Sequence, residues 1–243
     1  MNKVTKVLLT VVTTVCCVAV LVGGIWCSRQ ADMSLCTQVD IVVEDSVSRQ
    51  YVDAMELEGY LKARGCYALT KAMSEVDCHM IELLLLKHEM IRTASCYKTP
   101  FGAVRIRVTQ RVPVLCVKTA EGHYLVDTDR RVMPYRSGMK LDVPVFTGAI
   151  SKCAATEEYY DFVLWLQDNS YSGERIRDVY VRNPKLVVLS QKDYSAKIVL
   201  GKLDGYEDKL ARLRSLYKKG FDVLGYPECR ELDLRYAGQV VRR

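Results

Sequence analysis

Residues 7–26 contain no charged side chain, and this run constrains the 243-residue chain more than any other feature. Its sequence, VLLTVVTTVCCVAVLVGGIW, makes about 30 Å of helix at ~1.5 Å per residue, the thickness of a bilayer's hydrocarbon core. A removed signal peptide is the competing reading. Its apolar core is normally shorter and is followed by small residues at a cleavage site, which this sequence lacks. Cys27 follows the bulky Trp26, where a lipoprotein cysteine takes a small neighbour. The expectation is therefore an uncleaved anchor over residues 7–27, with Trp26 and Arg29 at the far interface. Lys3 and Lys6 lie in an acid-free tail, residues 1–6, which the positive-inside tendency keeps in the cytoplasm. Everything beyond a polar linker at 28–38 is then expected outside, in the periplasm of a cell with two membranes. The longest later apolar stretch, 80–86, is interrupted by Glu82, so a single pass is expected.

Composition bounds what the outside portion does. A charged fraction of 26% with 14 Gly and 6 Pro excludes wholesale disorder and collagen-like repeats. Lys3, Lys6 and Arg29 supply half of the formal charge of +6, so the remainder is only mildly basic with interspersed signs. Nucleic-acid binding is disfavoured by the expected topology. Of the ten cysteines, seven lie between Cys36 and Cys229, widely spaced and without a CxxC pair. An odd number cannot pair completely, and a disulfide scaffold is not expected in a domain of this size. Cys96 and Cys116 sit among apolar neighbours, where a free thiol packs as a small hydrophobe. One or two bridges are compatible with the spacing, which does not name them.

Residues 39–43 are a β-branched run closed by Glu44-Asp45-Ser46, a strand and turn. Val52, Met55 (or Glu56) and Tyr60 recur at helical spacing until Gly65, and a second helix is expected over 76–87. A strand at 91–97 joins, through Pro100-Phe101-Gly102, the strict alternation of 104–108. That order, strand, helix, helix, strand, strand, describes a small α+β unit over 39–110. From 111 to 243 the texture is strands and turns, a mostly antiparallel β-rich unit with helices. Strands are expected at 114–118 and 124–126 around Glu121-Gly122, then at 132–134, 143–145, 176–181, 186–189 and 196–200. Thr156 reads as an N-cap opening a helix through Phe162, Trp165 and Leu166. A last helix carries Tyr206, Leu210, Leu213 and Tyr217, with Asp208 and Arg212 paired one turn apart. A terminal strand alternates Leu232, Leu234 and Tyr236 against Glu231, Asp233 and Arg235.

Chemistry is sparse. His79, His88 and His123 are the only histidines, and His79 with Glu82 is too few ligands for zinc. No GxSxG, phosphate-binding glycine loop or GxGxxG is present. Asp127 and Asp129 resemble a glycosidase pair in type, but in a hairpin they read as turn chemistry. No cofactor, metal ion or enzymatic activity is expected.

Five segments, in order behind the anchor, carry a resemblance. They are 104–114 (VRIRVTQRVPV, a strand ending in Gln110 before Arg111-Val112-Pro113), Tyr124-Leu125-Val126-Asp127, Leu200-Gly201-Lys202, Lys209-Leu210-Ala211-Arg212-Leu213 and Glu231-Leu232-Asp233-Leu234-Arg235-Tyr236. Together they resemble the bacterial cell-division proteins of the FtsQ/DivIB family, with 39–110 similar to its POTRA domain and 111–243 to its β-rich domain. The resemblance implies a non-catalytic scaffold in the inner membrane at the division septum. It implies recruitment of FtsB/DivIC-like and FtsL-like partners, with a partner segment adding a strand at the last β-strand. Carried over by position, it makes Leu232, Asp233, Leu234, Arg235 and Tyr236 the docking strand. Lys202 becomes a nearby contact for an acidic partner residue, although Leu232 and Leu234 fit core packing equally well. The POTRA-like unit is expected to meet other division proteins near the membrane. The very short cytoplasmic tail, Lys202 in place of Arg and the few residues after Gly238 depart from the family pattern. The rival expectations are another POTRA-bearing assembly or secretion factor and an anchored periplasmic cell-wall enzyme.

Overall fold

The computed structural model describes residues 12–23, 34–45, 51–139, 141–169, 176–192, 196–221 and 229–243. Residues 12–23 form a helix, α1, within the apolar run. Among the described residues no helix is long and apolar enough to cross a membrane. Residues 7–11 and 24–27 of the expected span, and the tail at 1–6, lie outside the described residues. The chain divides into two compact units, Met1–Gln110 and Arg111–Arg243.

In the first unit, β1 (Gln38–Val43), α2 (Ala54–Ala63), α3 (Cys78–Leu86), β2 (Ile91–Lys98) and β3 (Ala103–Gln110) follow in sequence. The sheet order is β1-β3-β2, with β1 parallel and β2 antiparallel to β3. Both helices start one residue after an aspartate. The Asp53 carboxylate accepts the Glu56 N–H at 2.7 Å, and the Asp77 carboxylate accepts the Met80 N–H at 3.0 Å. α2 ends at Gly65, where the Cys66 N–H reaches the Leu61 carbonyl and the Gly65 N–H that of Lys62. The alternation of β3 turns Val104, Ile106 and Val108 inward, and Leu57 and Leu61 of α2 and Ile81 and Leu85 of α3 are buried as well. Each such side chain contributes roughly 1.5–3 kcal/mol of burial. At the end of β3 the buried Gln110 acts as a fastener. Its Oε1 accepts the N–H groups of Tyr51 and Val52 at 2.7 and 2.9 Å, and its own N–H donates to Asp45.

The second unit contains β4 (Pro113–Thr119), β5 (Gly122–Asp127), β6 (Val132–Pro134), β7 (Val145–Gly148), α4 (Lys152–Thr156), α5 (Glu158–Asp168), β8 (Ile176–Asn183) and β9 (Leu186–Gln191). They are followed by β10 (Lys197–Gly201), α6 (Tyr206–Leu216) with a π-helical turn at Tyr217–Phe221, β11 (Glu231–Asp233) and β12 (Val241–Arg242). These strands form a nine-stranded sheet in the order β12-β11-β10-β9-β8-β7-β4-β5-β6. It is more mixed than the strand-and-turn texture predicts. β7 and β8 run parallel because α4 and α5 carry the chain across between them, and β10 and β11 do so across α6. β4 and β7 are parallel as well.

Residues two apart on successive strands (Leu115 and Val117, Val179 and Val181, Val187 and Leu189, Ile198 and Leu200, Leu232 and Leu234) point to one face. They pack there with Phe162, Val163, Leu166, Leu210, Leu213 and Tyr217 into a single core. Tyr206 joins α5 to α6, with its ring edge-on to Phe162 at 5.0 Å and to Trp165 at 5.3 Å. Two local expectations are corrected. Ser151, not Thr156, caps this helical region, accepting the Ala154 N–H, while the Thr156 hydroxyl donates back to the Lys152 and Cys153 carbonyls. The residue after Thr156 also breaks the helix into α4 and α5.

Asp127, at the end of β5, has no catalytic freedom. One carboxylate oxygen accepts the N–H groups of Asp129 and Arg131 at 2.9 and 2.7 Å, and the other accepts from Arg111 at 2.6 Å. Both side chains of this ion pair are buried. Removing one partner of such a pair strands a buried charge. Arg111→Met is therefore expected to cost about 3–5 kcal/mol in denaturation followed by Trp165 fluorescence. The double variant Arg111→Met, Asp127→Asn should recover part of that loss, and a single-variant cost within error of zero would contradict the assignment.

Candidate functional site

The C-terminal end of the large sheet collects three of the resembling segments into one hydrogen-bonded framework. β11 pairs in parallel with β10 through Ile198↔Leu232 and Val199↔Asp233, and the Leu234 N–H continues onto the Val199 carbonyl at 2.9 Å. On its other side β11 pairs antiparallel with β12, Leu232↔Arg242 and Asp233↔Val241. The expected docking strand is corrected accordingly. Only Glu231–Asp233 is strand, and it is an inner strand with a neighbour on each side, while the sheet ends at β12. Leu232 and Leu234 are buried in the core and face α6 rather than a surface.

Asp233 organises this end. Its carboxylate has 0% exposure, and it accepts the Arg235 N–H at 3.1 Å, Arg235 Nε at 2.9 Å and Arg235 Nη2 at 2.6 Å. Arg243 Nη2 lies 3.7 Å away. The Arg235 hydrogen bonds, against the opposing effect of burial, hold the Asp233 carboxyl below its ordinary value, and they raise that of Arg235. To make this fork, the Arg235 stem lies across Gly201. A Cβ built on Gly201 would sit 2.7 Å from Arg235 Cγ, and the φ of +79° there already favours glycine.

α6 supplies the remaining clamps. Arg212 does not make the expected pair with the Asp208 carboxylate. Its guanidinium donates to the carbonyls of Leu234, Tyr236 and Gln239, at 3.3, 2.5 and 3.3 Å, fixing the turn that carries the chain from β11 back into β12. Lys209 Nζ donates to the carbonyls of Lys202 and Asp204 at 2.8 and 2.7 Å, holding the entry to α6.

Lys202, exposed, follows Gly201 directly, so it stands at the same end as the half-exposed Arg235 and Tyr236. Of the residues expected to dock a partner, Lys202, Arg235 and Tyr236 are thus brought together at the surface, whereas Leu232, Asp233 and Leu234 support them from within. Gly201, Lys209, Arg212, Val241 and Arg242 complete the site and were missed as site residues. The only sequence signal for the first three was their place in the resembling segments. The surface carries the Tyr236 ring and Lys202, beside Arg235 and Arg243, which are paired with Asp233 and Glu231. Among the described residues no group of three or more His, Cys, Asp or Glu side chains is placed to hold a metal ion.

The comparisons with known proteins fall on the same two units. A POTRA-like domain model matches residues 34–109, and a model described as FtsQ/DivIB, C-terminal related, matches residues 112–242. No curated protein matches the chain.

Two outcomes follow from the framework. Gly201→Ala should lower stability by about 1–3 kcal/mol in denaturant titration, because it imposes both a clash and a strained φ; unchanged stability would contradict the close approach. The folded-state pKa of Asp233 lies below the unfolded one. Its contribution is therefore fully present above the ordinary carboxylate range and is lost as pH falls through the folded value. Asp233→Asn should accordingly flatten the fall of stability below about pH 4, and an acid limb identical to that of the parent would refute the pairing.

Proposed function

This chain belongs to the FtsQ/DivIB family and has a role in cell division, and from that premise we propose that it is a septal scaffold rather than an enzyme. In this reading residues 1–6 stay in the cytoplasm, 7–27 cross the inner membrane once, and 28–38 lead to an extracytoplasmic POTRA-like domain at 39–110 and a β-rich domain at 111–243. The β-rich domain holds FtsB/DivIC-like and FtsL-like division partners by strand addition at the C-terminal edge of its sheet. The POTRA-like domain meets further division proteins near the membrane.

The observation that carries this reading is the end of the sheet itself. Among the described residues, β12 pairs on one side only, with β11, while Arg212 and the Asp233–Arg235 fork fix the turn that leads into it. An edge of this kind takes an added strand through main-chain hydrogen bonds, while flanking side chains choose the sequence. The opposite edge is less suited, because β6 ends in Pro134, which lacks an N–H. Tyr236 serves as the aromatic anchor, and Lys202 selects an acidic segment.

The test is a titration of the folded chain with the ectodomain of an FtsB/DivIC-like partner. Tyr236→Glu should weaken binding about tenfold or more, Lys202→Glu should weaken it less, and both should keep the parent circular dichroism spectrum. Parent affinity in a folded Tyr236→Glu variant would overturn the edge-docking model.

A further inference from the structure

The first unit places one cysteine on each side of the contact between α3 and β2. Cys78 opens α3, and Cys96, on β2, is buried at 8% exposure against that helix. Cys78 lies on the face of α3 that also carries the buried Ile81 and Leu85, the face that packs on β2. A side-chain contact fixes the approach of that face to β2. Glu82, one turn beyond Cys78 on the same face of α3, accepts the backbone N–H of Cys96 at 2.7 Å. The Asp77 cap, donated to by Met80, holds the first turn of α3 in place, so Cys78 projects from a fixed backbone. Cys78 is the more accessible of the two. Burial first, and then the facing Cys78 thiol, push the Cys96 thiol far above its ordinary value, which makes it inert toward outside reagents on its own.

We propose that Cys78 and Cys96 are a disulfide-forming pair that cross-links α3 to β2 when the chain meets a disulfide oxidant. The Cys78 thiolate attacks one sulfur of the oxidant's disulfide, giving a mixed disulfide and releasing one oxidant thiol. Cys96 gives up its proton and attacks the Cys78 sulfur, expelling the second oxidant thiol. The two protein thiols lose two electrons and two protons, and the oxidant gains both. Reduction by a dithiol reverses the exchange.

The bond closes the segment 78–96 and pins the helix to the outer strand of the small sheet, on which it packs. Its main effect is to restrict the unfolded chain of this unit. The inference concerns the first unit alone and does not depend on the partner reading. In the topology proposed above, the unit lies where disulfide oxidants act.

The test uses the full chain in detergent micelles, equilibrated with oxidised glutathione. Remaining thiols are then blocked with iodoacetamide under denaturing conditions, and an unreduced digest is read by mass spectrometry. The expected product is a linked peptide joining Cys78 to Cys96, two hydrogens lighter than the separate peptides and abolished by dithiothreitol. The oxidised protein should unfold on the order of 10 °C above the reduced one. The shift should vanish in Cys78→Ser, which is small enough to keep the fold. Carbamidomethyl or glutathione adducts on both cysteines, or linkage of either to a different cysteine, would overturn the proposal.

Discussion

The Asp233 carboxylate, buried without exposure to solvent, is the constraint around which the C-terminal half of the large domain is arranged. A buried carboxylate is tolerated only with its hydrogen bonds filled, and Arg235, two residues along the same chain, fills them as a fork. That fork requires the Arg235 stem to cross β10, and only a glycine at 201 lets it pass. With the stem in place, Leu234 continues the ladder onto β10 and Arg212 gathers the carbonyls of the turn that follows. Three segments far apart in sequence thus share one reason for their composition, and the reason is structural before it is functional.

The same device recurs at other element ends. Gln110 ties the end of β3 to the backbone at 51–52. Arg111 and Asp127 form a buried pair that also caps the turn after β5. Such networks contribute little net stability compared with an apolar core, but they are intolerant of losing one member. They suit a molecule whose task is to hold a surface in one shape. Asp127 itself is engaged on both carboxylate oxygens.

Much of the architecture was legible because period-2 alternation survives wherever one face of a strand is wet, as in β3, β8 and β9. Helices were found from their spacing, but their starts were misplaced by two residues, since the Asp53 and Asp77 caps carry no periodicity. Parallel pairing was not legible, because it depends on where crossovers return the chain. The return to β12 was missed for a related reason: two residues, Val241 and Arg242, have no pattern to read, and without them Leu232 to Tyr236 looks like an edge. Arg212 was misread because helical spacing offered Asp208 as a partner, whereas three backbone carbonyls from a distant loop outcompete one exposed carboxylate. Of the residues expected to dock a partner, Lys202, Arg235 and Tyr236 lie at the surface, and Leu232 and Leu234, for which core packing was an equal expectation, lie in the core.

In the proposed docking mode a partner segment lengthens this sheet at β12. Amide hydrogen exchange on the full chain, with and without the ectodomain of an FtsB/DivIC-like partner, addresses it most directly, because strand addition protects the backbone it touches. Exchange at 241–243 is expected to slow on binding, with the Lys202 and Tyr236 amides following and β6 unchanged. Saturating binding that leaves 241–243 exchanging as in the free chain, with protection elsewhere, would contradict it.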